Sequence, residues 1–281
     1  MNLKFKKAVI IGPGLIGGSI GIFLCKSKMA STVIGVARDK ETLRKALKKK
    51  AINKAQTDLK KAALDADLIM ICTPVKAFEN IIRQIIPVLK PGCIIFDVGS
   101  TKNEIVVQSQ KLLPKDVYFI GTHPMAGSEN TGVDFAHIDL FKESICFIAK
   151  TQNTKKSAYA IVSDLWKKMG AKCVGIDPRV HDNIVASLSH LPHLISVALV
   201  NSVPDKYFKF AASGFKDTTR IAASSVEVWH DIIFSNKKAI LSRIENFEMV
   251  LKKMKQAIIS SQGKQITLQL QRARKKRLSI K

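Results

Sequence analysis

Short apolar runs alternate with helix-spaced stretches through the first part of the chain, and the pattern changes near residue 177. Residues 8–11 (Ala-Val-Ile-Ile) are continuously apolar, as in a strand buried on both faces. Strand-like runs recur at 32–36, 67–72, 93–97, 117–121, 144–150 and 172–176. Between them, 20–26, 77–89 and 155–169 carry helical spacing, and another helix is predicted to start near Asn103. Pro74 and Pro91-Gly92 punctuate the series. Strand and helix alternating in this way predict an α/β domain over 1–175, a Rossmann-type doubly wound parallel sheet.

From Asp177 the spacing is helical throughout, which predicts an all-α second domain over 176–281. Asp177 is placed to cap a helix with Pro178 in its first turn. That helix should run to about Asn201 with a kink at Pro192, and His190 and His193 should share one face. Asn236 is expected to cap a helix with apolar positions at Ile240, Ile244, Phe247, Leu251, Met254 and Ile258. Intervals alternating four and three make a heptad seam that wants a partner helix. A homodimer through these C-terminal helices is the expected assembly. Gly263 is predicted to end the helix, leaving a basic tail as a surface helix or frayed end.

Composition sharpens this picture in three places. Hydrophobic content of 46% and charged content of 24% are globular values. No apolar run reaches the roughly 18 residues a membrane span needs, so no membrane partner is expected. Five cysteines at 25, 72, 93, 146 and 173 stand singly without metal-ligand spacing, as reduced thiols of a cytoplasmic protein do. The formal net charge is +24, and residues 264–281 hold seven Lys or Arg and no acid. Nucleic acid is one partner such charge could take, but recognised motifs and interleaved aromatics are missing. A basic surface that favours small anionic ligands is the better reading.

The candidate chemistry gathers at strand ends. Gly12, Gly14 and Gly17 form G-x-G-x-x-G between the first strand and helix, with Leu15 and Ile16 at the helix start. Such a loop turns tightly, lets the backbone approach a pyrophosphate and aims a helix N-terminus at it. The second strand ends at Ala37-Arg38-Asp39 rather than at the acid that usually binds a ribose 2′-hydroxyl. A small residue followed by Arg suits a 2′-phosphate, which favours NADP over NAD, unless Asp39 takes the acidic role. Thr73, Pro74 and Val75, closing the strand at 67–72, complete the cofactor-facing set.

Ser100 follows the strand at 93–97, where its hydroxyl either meets a ligand or caps the next helix. Residues 121–129, Gly-Thr-His-Pro-Met-Ala-Gly-Ser-Glu, should form a stiff loop presenting His123, because Pro124 forces His123 out of the α region. Thr122, Gly127 and Glu129 flank it as substrate-facing candidates. In the helical half, Lys216, Asp217, Thr218, Thr219 and Arg220 cluster, and Arg220 offers a fork for a carboxylate. His190 and His193 could pair on zinc, but no third ligand group accompanies them, so no metal is expected.

Taken together, several of these stretches resemble the prephenate/arogenate dehydrogenase family of tyrosine biosynthesis. They are Gly12 to Ser19, Gly99-Ser100-Thr101-Lys102, Gly121 to Glu129, Ser189-His190-Leu191-Pro192-His193 and Gly214 to Ala222, followed by Trp229-His230-Asp231-Ile232 and Asn236. The resemblance spans nearly the whole chain and looks like the minimal form, without a fused chorismate mutase or regulatory domain. It implies an oxidative decarboxylation in which a cyclohexadienol gives its C4 hydride to NAD(P)+ and loses the ring carboxylate as CO2. His123 then accepts the proton of the 4-hydroxyl, and Ser100 helps to orient that hydroxyl. Arg220 holds a substrate carboxylate with His193 and His190 nearby, and Glu129 guards the pocket. The residue at position 37 departs from the acid that goes with NAD. Two other readings stay open at this point: a β-hydroxyacid-type dehydrogenase, and a non-catalytic NADP-sensing or nucleic-acid-binding protein.

Overall fold

The computed structural model describes residues 4–127 and 130–280. Its strands are β1 (Phe5–Ile11), β2 (Ala30–Val36), β3 (Lys54–Gln56), β4 (Leu68–Ile71), β5 (Ile94–Asp97), β6 (Tyr118–Ile120), β7 (Thr122–Pro124), β8 (Ile145–Ala149) and β9 (Lys172–Ile176). Helices α1 (Leu15–Lys26), α2 (Lys40–Lys48), α3 (Leu59–Ala63), α4 (Phe78–Ile85), α5 (Asn103–Leu112) and α6 (Lys156–Lys168) lie between them. Strands β1 to β6 pair in parallel in the order β3-β2-β1-β4-β5-β6, the doubly wound Rossmann arrangement.

Side-chain alternation explains why the central strands are apolar without interruption. Ala8 and Ile10 of β1, Leu68 and Met70 of β4, and Ile94 and Phe96 of β5 enter one buried layer. Val9, Ile11, Ile69, Ile71 and Ile95 enter the other, against Phe78, Ile81, Ile82 and Ile85 of α4. Both faces are covered, so neither parity of position is polar. Trp166 of α6 sits fully buried between Phe96 and Phe141, with ring centroids at 5.9 and 5.0 Å. Truncating such a ring costs about 3–5 kcal/mol.

The segment expected to be a loop after residue 121 is ordered differently. After Ile120 the chain leaves the large sheet and enters a three-stranded one, β7-β8-β9, in which β7 runs antiparallel to β8. His123 is therefore a strand residue opposite Phe147, not a loop residue. Pro124, which lacks an N–H, closes that short edge strand.

Asp177 caps the next helix as expected, its carboxylate accepting from the N–H groups of Arg179 and Val180. This helix, α7 (Pro178–Val185), passes through a π-turn at Ala186–His190 into α8 (Leu191–Ser202). The π-turn stands where a kink at Pro192 was expected; a wider turn relieves the clash of a proline ring with the preceding turn. The stretch Pro178–Ser202 is long and apolar enough to cross a membrane, contrary to the expectation that no run is, yet it buries His181, Asp182, His190 and His193. Helices α9 (Ser213–Thr219) and α10 (Val226–Ser235) follow.

By compactness the chain divides into 1–236 and 237–281. The second unit holds α11 (Lys237–Ile259) and α12 (Gly263–Leu278), which contact each other. Gly263 opens α12 instead of ending α11; the left-handed residue of that turn is Ser261, at φ 50°. Along the α11 seam Ile240 is buried, whereas Phe247, Leu251 and Ile258 are 36%, 53% and 66% exposed.

Candidate active site

The glycine loop shows why those positions are glycine. Gly12 has φ +88°, and a Cβ there would lie 2.8 Å from the carbonyl oxygen of Cys72. At Gly17 it would lie 2.4 Å from the carbonyl oxygen of Gly12. Gly14 faces open space, and α1 begins directly after it, at Leu15 and Ile16, without a side-chain cap. That leaves free N–H groups for an anion. A crevice of about 810 Å³ continues from Gly12 past Ala37, Arg38, Thr73 and Pro74. Among the described residues the buried hydroxyl of Thr73 has no hydrogen-bond partner. An open backbone cradle and an orphaned hydroxyl fit a dinucleotide. Arg38 is exposed, and the Asp39 carboxylate caps α2 by accepting from Glu41 and Thr42 N–H at 3.0 Å each. Val75 starts a short turn at the edge of the crevice and lines an adjoining hollow with Glu104, His230 and Asp231.

At the end of β5 a buried ion pair organises the approach to His123. The Lys102 ammonium donates to the Asp97 carboxylate, which also accepts from Gly99 N–H at 2.8 Å and Thr122 N–H at 3.2 Å. Burial pushes Asp97 up from its ordinary range, and Lys102 with these donors opposes that. The Thr122 hydroxyl, expected to face substrate, is buried and donates to the Asp97 carbonyl instead. Asp97 therefore ties the loop bearing Ser100 to the strand bearing His123. Ser100 is half-buried, and among the described residues no hydrogen bond joins it to His123.

His123 Nδ1 lies 2.9 Å from His181 Nε2, and His181 Nδ1 lies 2.7 Å from Asp182 Oδ1. The Asp182 carboxylate accepts from the N–H groups of Lys102 (2.8 Å) and Asn103 (2.9 Å) at the start of α5. Asn236, expected to cap a helix, turns its amide inward and donates to the Asp182 carbonyl at 2.8 Å and to His190 Nδ1 at 3.2 Å. Trp229 stacks on His193 with centroids 3.5 Å apart and meets His190 edge-on at 6.0 Å. His193 Nδ1 is buried and has no hydrogen-bond partner among the described residues. Burial, then the neighbouring His181, Lys102 and His190, hold His123 well below its ordinary value. Burial takes His190 down to about 4 against the opposing pull of Asp182, and lowers His193 as well. At neutral pH these three are neutral imidazoles.

Arg220 opens a short turn packed against α8, the helix of His193; it is exposed, and among the described residues it has no ion-pair partner. Gly127 is exposed, and Glu129 lies outside the described residues. Sequence reasoning missed His181, Asp182, Asp97 and Lys102. A signal for the first two existed: Pro178, His181, Asp182 and Val185 form the buried stripe of α7 at helical spacing, so a His and an Asp occupy core positions.

A dinucleotide cradle on a Rossmann sheet, in a chain that also buries a neutral imidazole at His123, defines an NAD(P)-dependent oxidoreductase. The family model of the prephenate dehydrogenase nucleotide-binding domain matches residues 20–175, and that of the prephenate dehydrogenase dimerization domain matches 177–272. The chain belongs to the prephenate dehydrogenase family. It is 31% identical to the cyclohexadienyl dehydrogenase of Zymomonas mobilis, covering 99% of this chain and 97% of that one. It is 35% identical to the prephenate dehydrogenase of Lactococcus lactis over 86% of this chain and 68% of the relative. Among solved structures, prephenate dehydrogenase from Aquifex aeolicus in complex with hydroxyphenyl propionate and NAD+ superposes with a TM-score of 0.93 at 29% identity, covering all of both chains. Synechocystis arogenate dehydrogenase gives 0.83 at 29% identity, over 96% of this chain and 98% of that one. A 3-hydroxyisobutyrate dehydrogenase, at 11% identity and a TM-score of 0.51, shares the fold alone.

Proposed function

We propose that this protein oxidatively decarboxylates a cyclohexadienol carboxylate, prephenate or arogenate, with His123 as the base for the 4-hydroxyl. The observation that carries this reading is a buried imidazole, His123, favoured in its neutral form and tied through Asp97 to the loop that follows β5. A nicotinamide bound in the crevice supplies the acceptor for the C4 hydride. As that hydride leaves, the ring hydroxyl becomes strongly acidic, so even a weakly basic imidazole can take its proton. Ser100 orients the hydroxyl from the loop that Asp97 holds. The unpaired Arg220 guanidinium binds a substrate carboxylate, and the orphaned Nδ1 of His193 offers a further polar contact nearby. Loss of the ring carboxylate as CO2 aromatises the product. Glu129 and Gly127, beyond β7, complete the substrate side.

Arg38 and the small Ala37 support NADP as the preferred cofactor, since Asp39 is committed to its helix cap. The exposed α11 seam supports a homodimer through the C-terminal helices. We retain 1–175 as the dinucleotide domain and 176–281 as the substrate and dimerisation domain, and place the enzyme in the cytoplasm on its five free thiols. The decisive experiment offers prephenate or arogenate with NAD+ or NADP+ and follows reduced cofactor. Turnover with one of the four pairs is expected, and none with any would overturn the reading.

A further inference from the structure

His181 and Asp182 form a hydrogen-bonded pair behind His123. The Asp182 carboxylate is buried and accepts two backbone N–H bonds, so toward His181 it can only accept. His181 Nδ1, at 2.7 Å, must therefore donate to it. In a neutral His181 this leaves a lone pair on Nε2, which faces His123 Nδ1 at 2.9 Å. One proton has to lie between those two nitrogens, so His123 Nδ1 carries it and donates. The hydrogen-bond chain then leaves the lone pair of His123 on Nε2, the only nitrogen still able to accept a proton.

We propose that Asp182 and His181 are positioning residues that set His123 in its Nδ1–H form and take over its positive charge when Nε2 accepts the substrate proton. The inference rests on His123 being the base, as put forward above. The step balances as follows. The substrate O–H bond breaks, and an Nε2–H bond forms on His123. The Nδ1–H bond of His123 then breaks as its proton passes to His181 Nε2. The positive charge ends on His181, in contact with the Asp182 carboxylate. Loss of CO2 leaves the C–C electron pair on the ring as a phenolate, which takes the proton back from His123 Nε2 while Nδ1 recovers its own from His181, so no net proton is released. The arrangement reconciles two requirements: His123 must be neutral at rest, and its conjugate acid must be tolerable in a buried site. Asp182 is in turn fixed by the first N–H groups of α5, where a carboxylate is favoured by the helix dipole.

The test uses the full-length enzyme with whichever substrate and cofactor it turns over, and [15N]histidine NMR of its six histidines, with His123 assigned from H123N. Asp182→Asn removes the charge from the end of the chain; with its amide N–H turned to His181, at the cost of the bond from Lys102 N–H, it reverses the donors from His181 to His123 and puts the His123 proton on Nε2. The expected result is a drop in kcat approaching the ~10⁴-fold that a wrong tautomer causes in a Ser-His-Asp triad, with KM within a few-fold. The NMR should show Nε2 of His123 protonated. His181→Phe keeps a ring against Phe147 and leaves Asp182 on α5, so it serves even if D182N fails to fold. It should lower kcat about 10²-fold and give mixed His123 tautomers. If H123N retains activity, the base assignment falls and the relay with it. If H123N is inactive but H181F keeps wild-type kcat, or loses activity with the His123 tautomer unchanged, only the relay is overturned.

Discussion

The cofactor crevice and the histidine network are built from different materials. The crevice is a backbone structure made by adjacent residues: Gly12 turns, Gly17 admits its own loop, and α1 presents unpaired N–H groups. The network is made of side chains from Asp97, Lys102, His123, Asp182, His190, Trp229 and Asn236, brought together across about half the chain. A backbone site tolerates side-chain change around it, provided its glycines stay. A side-chain network fails when one donor or acceptor is lost, because its neighbours are left buried and unpaired. Substitutions in the network should therefore have much larger effects than substitutions on the crevice wall.

The largest effect is expected at the base. His123→Asn should reduce kcat by roughly 10²–10⁴-fold with little change in KM, the range for losing a general base. Steady-state kinetics on the folded variant checks this. A kcat near wild type would remove His123 from the chemistry and collapse the contrast between the two regions. Arg220 comes next. Losing a charge-assisted contact worth about 1.5–3 kcal/mol should raise KM by roughly 10- to 150-fold in Arg220→Ala, with kcat less affected. An unchanged KM would exclude Arg220 as the carboxylate anchor.

The same difference in materials explains what could be read in the sequence. The Rossmann sheet was legible because burial on both faces keeps residues 8–11 of β1, 68–71 of β4 and 94–96 of β5 apolar, and the glycine loop because backbone geometry dictates residue type at Gly12 and Gly17. His123 was legible through its proline, although Gly121–Pro124 proved to be a crossing between sheets rather than a loop. The His181–Asp182 pair was not, since its meaning lies in partners at positions 102, 103 and 123 that only the fold brings near. Local helix signals misled in two places. The kink expected at Pro192 became a π-turn that ends at His190, and a serine, not Gly263, took the left-handed turn after α11.

Burying the network should also show in stability. The pKa of His190 is pushed down to about 4, chiefly by burial, from the ordinary imidazole value of 6.5. Below pH 6.5 the unfolded chain binds a proton at this site that the folded chain does not accept until about pH 4. Stability should therefore fall as the pH drops through that window, by up to about 1.4 kcal/mol per pH unit for this residue. His123 and His193, also depressed, act in the same direction. Urea unfolding at pH 7.5, 6.5 and 5.5 reads this directly. A midpoint unchanged across that range would mean that the imidazoles are not buried neutral.

The smallest effect is expected on the crevice wall, and it tests the comparison from its weak side. Ala37 and Arg38 are partly or wholly exposed, and on the proposed reading the phosphates would be held by backbone N–H groups at the start of α1 that no substitution here removes. An exposed ion pair contributes up to about 1 kcal/mol. Ala37→Asp with Arg38→Asn should thus lower kcat/KM for NADP+ by roughly fivefold and raise it for NAD+, because the new carboxylate repels a 2′-phosphate and accepts from a 2′-hydroxyl. Measuring kcat/KM for both cofactors in both proteins gives the selectivity ratio. If the wild type already prefers NAD+, the role given to Arg38 is wrong. If the double variant loses activity with both cofactors, the wall is part of the machinery, and the division between a backbone-built crevice and a side-chain-built catalytic site does not hold.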